Sequence, residues 1–318
     1  MMAGNQPRAG ERSRAGDRRP KVAFAGIGAM GYPMARRLAE RGFPLLVHDA
    51  DARAARRLTG LPSVAAATGA ADFADRDIVI TMLPDGTAVR ECLLGTRGEA
   101  AIADALQPGA TVIDMSSSAP QGTVELAGRL AERGLRLVDA PVSGGVPRAE
   151  QGTLAIMAGG DAGDLGRVTC VLDVLGSKIF HVGGVGAGHA MKALNNMLSA
   201  AGLAVAVEVL AVGKRFGLEP RSMLEVLNSS TGRNNSTENK IAQQVFSRSF
   251  SSGFSMRLMV KDLLTAMDTA HQTRTPVPVS AACLELWKAA LHDLGDDPAA
   301  DHTAIARYVE ERAGVTLD

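Results

Sequence analysis

The stretch Lys21-Val22-Ala23-Phe24-Ala25-Gly26-Ile27-Gly28-Ala29-Met30-Gly31 decides the fold. Lys21 to Ala25 is a short, mostly apolar run of strand length. It enters Gly26 to Gly31, which reads GxGxxG. A helical run, Met34 to Arg41, follows and stops at Gly42. A second strand, Pro44 to His48, ends at Asp49, 18 residues after the last glycine. Three glycines alone often make a plain turn. Between a strand and a helix, with an acid at that distance, they predict a dinucleotide-binding fingerprint. Glycine permits the tight turn and the close backbone approach. The pyrophosphate then rests at the helix N-terminus, where free N–H groups and the helix dipole favour anions. Gly26, Ile27, Gly28, Ala29, Met30 and Gly31 are therefore candidate cofactor-binding residues. Asp49 would accept hydrogen bonds from ribose hydroxyls and repel a 2′-phosphate, which favours NAD. Arg53, Arg56 and Arg57 follow closely and keep NADP possible, although arginines there also suit a solvated helix face.

The alternation continues outward. Asp77 to Leu83 is a buried strand ended by Pro84, and Thr111 to Asp114 is another. Leu135 to Val138 leads into Asp139-Ala140-Pro141-Val142-Ser143-Gly144-Gly145. Thr153 to Ala158 and Lys178 to Val182 read as two more strands with a helix between them. Strands alternating with helices predict a doubly wound, mostly parallel α/β sheet of Rossmann type. Ligands bind beyond the carboxyl ends of such strands. Leu83, Pro84, Ser116, Ser117 and Ser143-Gly144-Gly145 all fall there. The two glycine amides can form an anion-binding nest, with the Ser143 hydroxyl as a further donor, suited to a small carboxylate. Turn chemistry alone would also place serines and glycines at these positions.

After Val182 the pattern becomes all helical. Gly188-His189-Ala190-Met191-Lys192-Ala193-Leu194-Asn195-Asn196 opens a long apolar run to Phe216 without a proline. Lys192, Asn195 and Asn196 stand at i, i+3 and i+4 and project from one face. The run 197–212 is apolar on nearly every side, so burial all round is expected, with help from a second subunit. The loop Ser229 to Thr237 is unusually polar and carries Arg233, either as part of a mobile linker paired with Glu238 or as a substrate-facing cation. Residues 21–183 thus form a predicted nucleotide-binding domain and 184–318 a helical substrate and dimerisation domain.

Composition narrows the function. The chain has 318 residues, 46% hydrophobic and 21% charged, enough for two ordinary domains. With 34 basic and 34 acidic residues it offers no whole-molecule field for nucleic acid or an anionic membrane. Cys92, Cys170 and Cys283 have neither CxxC nor metal spacing, and the six histidines are scattered, so no metal is expected. Residues 1–20 hold five arginines and no apolar core. They read as a disordered tail and not as a secretory signal, which favours a cytoplasmic enzyme. No run is expected to reach the length of a membrane span.

Four motifs in this order resemble the β-hydroxyacid dehydrogenase family: Gly26 to Ala35, Asp139 to Gly145, Gly188 to Asn196, and Lys261-Asp262-Leu263. The resemblance covers roughly residues 21–312. It implies that Lys192 is the catalytic lysine, that Asn196, with Asn195 beside it, orients the substrate, and that Ser143-Gly144-Gly145 hold its carboxylate. It implies that Lys261 closes over cofactor and substrate, and that Ser117 stands where the family has threonine near the nicotinamide ribose. Homodimers or homotetramers are implied as well. The residue chemistry agrees. Alcohol oxidation needs a group to take the hydroxyl proton, and Lys192 becomes suitable if burial, Lys261 and its helix N-terminus lower its pKa. The expectation is an NAD-dependent dehydrogenase of a short 3-hydroxy acid, converting a primary alcohol to a semialdehyde. Alternatives are an NADPH-dependent reductase of tartronate or succinic semialdehyde, an imine reductase, which Lys192 disfavours, and a non-catalytic dinucleotide-binding module.

Overall fold

The computed structural model describes residues 19–96, 101–295 and 297–318. Most of the Arg-rich segment 1–20 lies outside the described residues. Among these residues nine strands form one sheet. They are β1 Val22–Ala25, β2 Leu45–His48, β3 Val64–Ala66, β4 Ile78–Thr81, β5 Thr111–Asp114, β6 Arg136–Asp139, β7 Val142–Ser143, β8 Leu154–Gly159 and β9 Gly176–Gly183. Their order is β3-β2-β1-β4-β5-β6-β8-β7, with β9 paired to β8.

β1 to β6 run parallel, and β8 returns antiparallel to β6. The order 3-2-1-4-5-6 reverses direction between β1 and β4, the switch point at which doubly wound sheets bind nucleotides. β1, β4 and β5 are buried along their whole length. That follows from helices on both faces, which remove the need for a polar alternate residue. Phe24, Ile80 and Ile113 enter the core on one face, and their neighbours Ala23, Val79 and Val112 enter the core on the other. The two missed strands, β3 and β7, are three and two residues long, too short to leave a periodic signal.

The helix Ala187–Phe216 begins four residues after the sheet ends. Its first turn is pressed onto the sheet. A Cβ on Gly188 would collide with the Met157 carbonyl and stand 2.7 Å from the Asp139 carbonyl. The buried Asp139 carboxylate accepts from Gly186 N at 2.7 Å and from His189 N at 2.9 Å. A carboxylate at a helix N-terminus satisfies orphan donors and opposes the dipole. Farther along, Ala200, Leu203, Val207 and Leu210 join Leu263, Trp287 and Ile305 in a third core.

One expectation needs correction. This helix is long and apolar enough to cross a membrane, although no run of that kind was expected. Over its most apolar window 56% is buried within the protein, as in a core helix. A single chain does not cover the helix all round, which leaves open the face for which a second subunit was expected. Met191, Leu194, Leu198, Val205, Val212 and Phe216 form an exposed stripe spaced by threes, fours and sevens, with Leu198 77% and Phe216 83% exposed. The helices of one chain reach only one side of it.

Candidate active site

The cavity at the switch point has a volume of about 770 Å³. Both domains line it. The glycine loop contributes Gly26, Gly28, Ala29, Met30 and Gly31. The strand ends contribute Asp49, Leu83, Pro84, Ser117, Gly144 and Gly145, and the helical domain contributes Phe254, Leu258, Lys192, Lys261 and Asp262.

The three glycines have three separate reasons. Gly26 has φ +98°, and a Cβ there would collide with the Met82 carbonyl. Gly31 packs so tightly that its Cβ would collide with the Gly26 carbonyl, which brings helix and turn together. A Cβ on Gly28 would meet no atom within 4 Å. The bare backbone there faces the cavity, where a diphosphate needs close approach. These roles fit a dinucleotide. Ile27 differs from its motif neighbours. Its side chain is in the core, and its N–H donates to Asp49 Oδ2 at 2.6 Å. Ile27 therefore serves the site by positioning Asp49 and is not a wall of it.

Asp49 Oδ1 accepts from Asp51 N at 2.8 Å. Each oxygen keeps a lone pair for a ribose hydroxyl. Arg53, Arg56 and Arg57 are exposed and outside the cavity lining, and Arg57 lies over the Tyr32 ring at 4.1 Å.

Lys192 Nζ donates to the Val142 carbonyl at 2.8 Å. Its pKa is lowered, mainly by burial; Asp262 opposes the shift and Lys261 adds to it. The shift favours the neutral amine that a general base needs. Cys92 also lines the cavity, but burial pushes its thiol up to about 12, which removes it as a nucleophile.

The residue that joins these groups is Asp262, to which sequence reasoning gave no role of its own. It is buried and accepts from Ser117 Oγ at 2.9 Å and from Asn196 Nδ2 at 2.5 Å. Lys261 Nζ stands 3.3 Å from it, reaches the Pro84 carbonyl at 3.1 Å, and donates to the Ser117 carbonyl. Three segments distant in sequence thus meet on one carboxylate. A signal was present, since Asp262 falls between Met259 and Ala266 on the buried stripe of its helix. An acid in such a stripe needs partners.

Asn195 Nδ2 donates to Asn196 Oδ1 at 3.1 Å. Neither amide is part of the cavity lining, nor is Ser143 beside Gly144 and Gly145. Ser116 accepts from Leu83 N at 2.9 Å and supports the loop. Arg233 stands apart from the cavity, with its side chain 63% exposed and Nε 3.7 Å from Glu238. The segment is no plain linker either. Asn234 caps the helix Asn235–Asn239 by accepting from Ser236 N and Thr237 N, and Thr237 Oγ1 accepts from Asn234 N. These polar groups are used locally, which turns the loop away from the substrate reading.

The chain was compared with known proteins. A family model described as the NAD-binding domain of 6-phosphogluconate dehydrogenase matches residues 21–183. A second, described as NAD-binding of NADP-dependent 3-hydroxyisobutyrate dehydrogenase, matches 186–309. The chain belongs to the β-hydroxyacid dehydrogenase family. It is 34% identical over 298 residues to 2-(hydroxymethyl)glutarate dehydrogenase of Eubacterium barkeri, covering 93% of this chain and 97% of that one. It is 34% identical to the mitochondrial 3-hydroxyisobutyrate dehydrogenase of Homo sapiens over 84% of this chain and 80% of that one. Among solved structures, the 3-hydroxyisobutyrate dehydrogenase of Mycobacterium tuberculosis with L-serine superposes with a TM-score of 0.82. That pair shares 31% identity over 92% of this chain and 99% of that one. As a β-hydroxyacid dehydrogenase, the protein is an NAD(P)-dependent oxidoreductase of hydroxy acids.

Proposed function

We propose that the enzyme oxidises the primary alcohol of a short 3-hydroxy acid to the semialdehyde, with NAD as acceptor and Lys192 as acid/base. One observation carries this reading: a lysine with a lowered pKa lines the same cavity as the glycine loop and the Gly144-Gly145 backbone. Bound NAD supplies the hydride acceptor. Gly144 and Gly145 amides hold the substrate carboxylate, and Asn196, held by Asp262, supports the wall beside Lys192. Neutral Lys192 takes the hydroxyl proton as the carbinol carbon releases hydride. In the reverse direction its ammonium protonates the nascent alkoxide. Lys261 neutralises charge at the cofactor edge while it holds the Pro84 and Ser117 carbonyls. Steady-state assays with 3-hydroxyisobutyrate, glycerate and threonate test the reading. Absence of NAD or NADP reduction with all three would overturn it.

NAD preference rests on Asp49 and on the outward position of the three arginines. Expected kcat/KM is higher with NAD than with NADP, and Asp49→Ala narrows the gap by removing the repulsion of a 2′-phosphate. A wild-type preference for NADP would refute this part.

We also propose that a second copy of this chain covers the exposed stripe of the helix Ala187–Phe216. The stripe has coiled-coil spacing, and the family resemblance implies homo-oligomers. Light scattering at micromolar concentration is expected to report a dimer or tetramer. Leu198→Glu, at a 77% exposed position, is expected to shift it towards monomer without lowering subunit stability. A monomeric wild type would end the proposal.

A further inference from the structure

The polar face of the long helix does not end at the cavity. Lys192, Asn196 and Ser199 stand at i, i+4 and i+7 and continue one line. Ser199 Oγ accepts from Lys240 Nζ at 3.2 Å. Lys240 is half-buried, and among the described residues no carboxylate lies within 4.0 Å of it. The acid that acts on it is Asp301, which is already committed. It accepts from Ser252 Oγ at 2.8 Å, Gly253 N at 3.0 Å, Thr303 N at 2.9 Å and Thr303 Oγ1 at 2.6 Å. Asp301 thereby fixes the segment Gly253-Phe254, which lines the cavity. His302 beside it is pushed down to about 4, chiefly by burial and then by Lys240, so it is neutral at physiological pH.

Lys240 is thus a cation without an ion-pair partner, one helical turn beyond Asn196. Holding a desolvated ammonium without an anion is costly. Its pKa falls to about 8 through burial, with Asp301 opposing and Lys192 adding to the fall. Ser199 lies seven residues from Lys192, ~10 Å along the axis, and the two lysine side chains shorten the gap between their ammonium groups. A substrate reaching from Lys192 towards Lys240 needs a chain a few carbons longer than a simple three-carbon acid.

We propose that Lys240 selects hydroxy acids with a second anionic group, pairing with a carboxylate at the end remote from the reacting alcohol. The proposal rests on the hydroxy acid dehydrogenase reading above and names the substrate class within it. It moves the second-anion role from Arg233, which is 63% exposed beside Glu238, to Lys240, which is half-buried against Ser199 on the helix that carries Lys192.

The test compares two substrates with the same reacting carbinol, 3-hydroxyisobutyrate and 2-(hydroxymethyl)glutarate, on the full-length enzyme with NAD. Wild type is expected to favour the dianion. Lys240→Met should raise KM for the dianion about tenfold or more and change kcat/KM for the monoanion little. Lys240→Arg should restore most of the difference. With wild type, KM for the dianion should rise as pH passes about 8 and Lys240 loses its charge, while KM for the monoanion follows only Lys192. Equal losses on both substrates, or no loss on the dianion, would overturn the proposal. If wild type turns over neither substrate, the activity reading has failed and Lys240 is judged by binding alone. Calorimetric titration of glutarate into the NADH-bound enzyme should then weaken in Lys240→Met. Unchanged glutarate affinity overturns the role of Lys240 in that case too.

Discussion

Lys192→Ala is expected to lower kcat by a factor on the order of 10²–10⁴, with NAD affinity little changed. In the proposed reading the glycine loop and Asp49 hold the cofactor and are untouched by the substitution, whereas the proton of the alcohol loses its acceptor. The pH profile gives the sign. Oxidation requires neutral Lys192, so kcat/KM rises with pH through its folded-state pKa. Because burial lowers that pKa, the rise comes below the ordinary lysine value of ~10.4. Reduction of the semialdehyde needs the ammonium and falls over the same range. Lys192→Arg keeps a cation that does not deprotonate, so it should remain inactive in oxidation. An alanine variant with near-wild-type kcat at neutral pH would eliminate Lys192 as the acid/base.

Gly188→Ala is expected to destabilise the protein by about 3 kcal/mol, the upper end of the usual range for overpacking. Helix propensity alone points the other way, since alanine is favoured over glycine by ~1 kcal/mol within a helix. The collision decides the sign. A Cβ at Gly188 meets the carbonyls of Met157 and Asp139, which are backbone atoms of the neighbouring strands β8 and β6. Relief requires the helix to lift, and lifting it weakens the bonds from Gly186 N and His189 N to Asp139. Lys192, one turn on, moves with it. Scanning calorimetry should show a lower Tm, and kinetics a lower kcat. A variant as stable as wild type would show that the helix does not depend on this contact.

The sequence by itself determined the parts of the protein that are local. Gly26, Gly28 and Gly31 are spaced by the geometry of one strand–turn–helix unit, so their pattern survives in one dimension. Asp49 follows at the end of the next strand for the same reason. The strands β1, β4 and β5 show as apolar runs because both faces of a parallel sheet are covered. Lys192, Asn195 and Asn196 fall on one face through helical periodicity alone. Tertiary structure decided the rest. Asp262 gathers Ser117 and Asn196, which are 145 and 66 residues away, and no local pattern records such a meeting. Arg233 and Lys240 are seven residues apart and both basic, yet the cap at Asn234 leaves one exposed beside Glu238 while packing sets the other against Ser199. The long helix looked apolar on every side, and only the packed chain showed which stripe its neighbours leave uncovered. Periodicity records which side chains share a face of one element. What that face meets depends on contacts between distant segments, and burial, partner and charge are fixed only once the chain has folded.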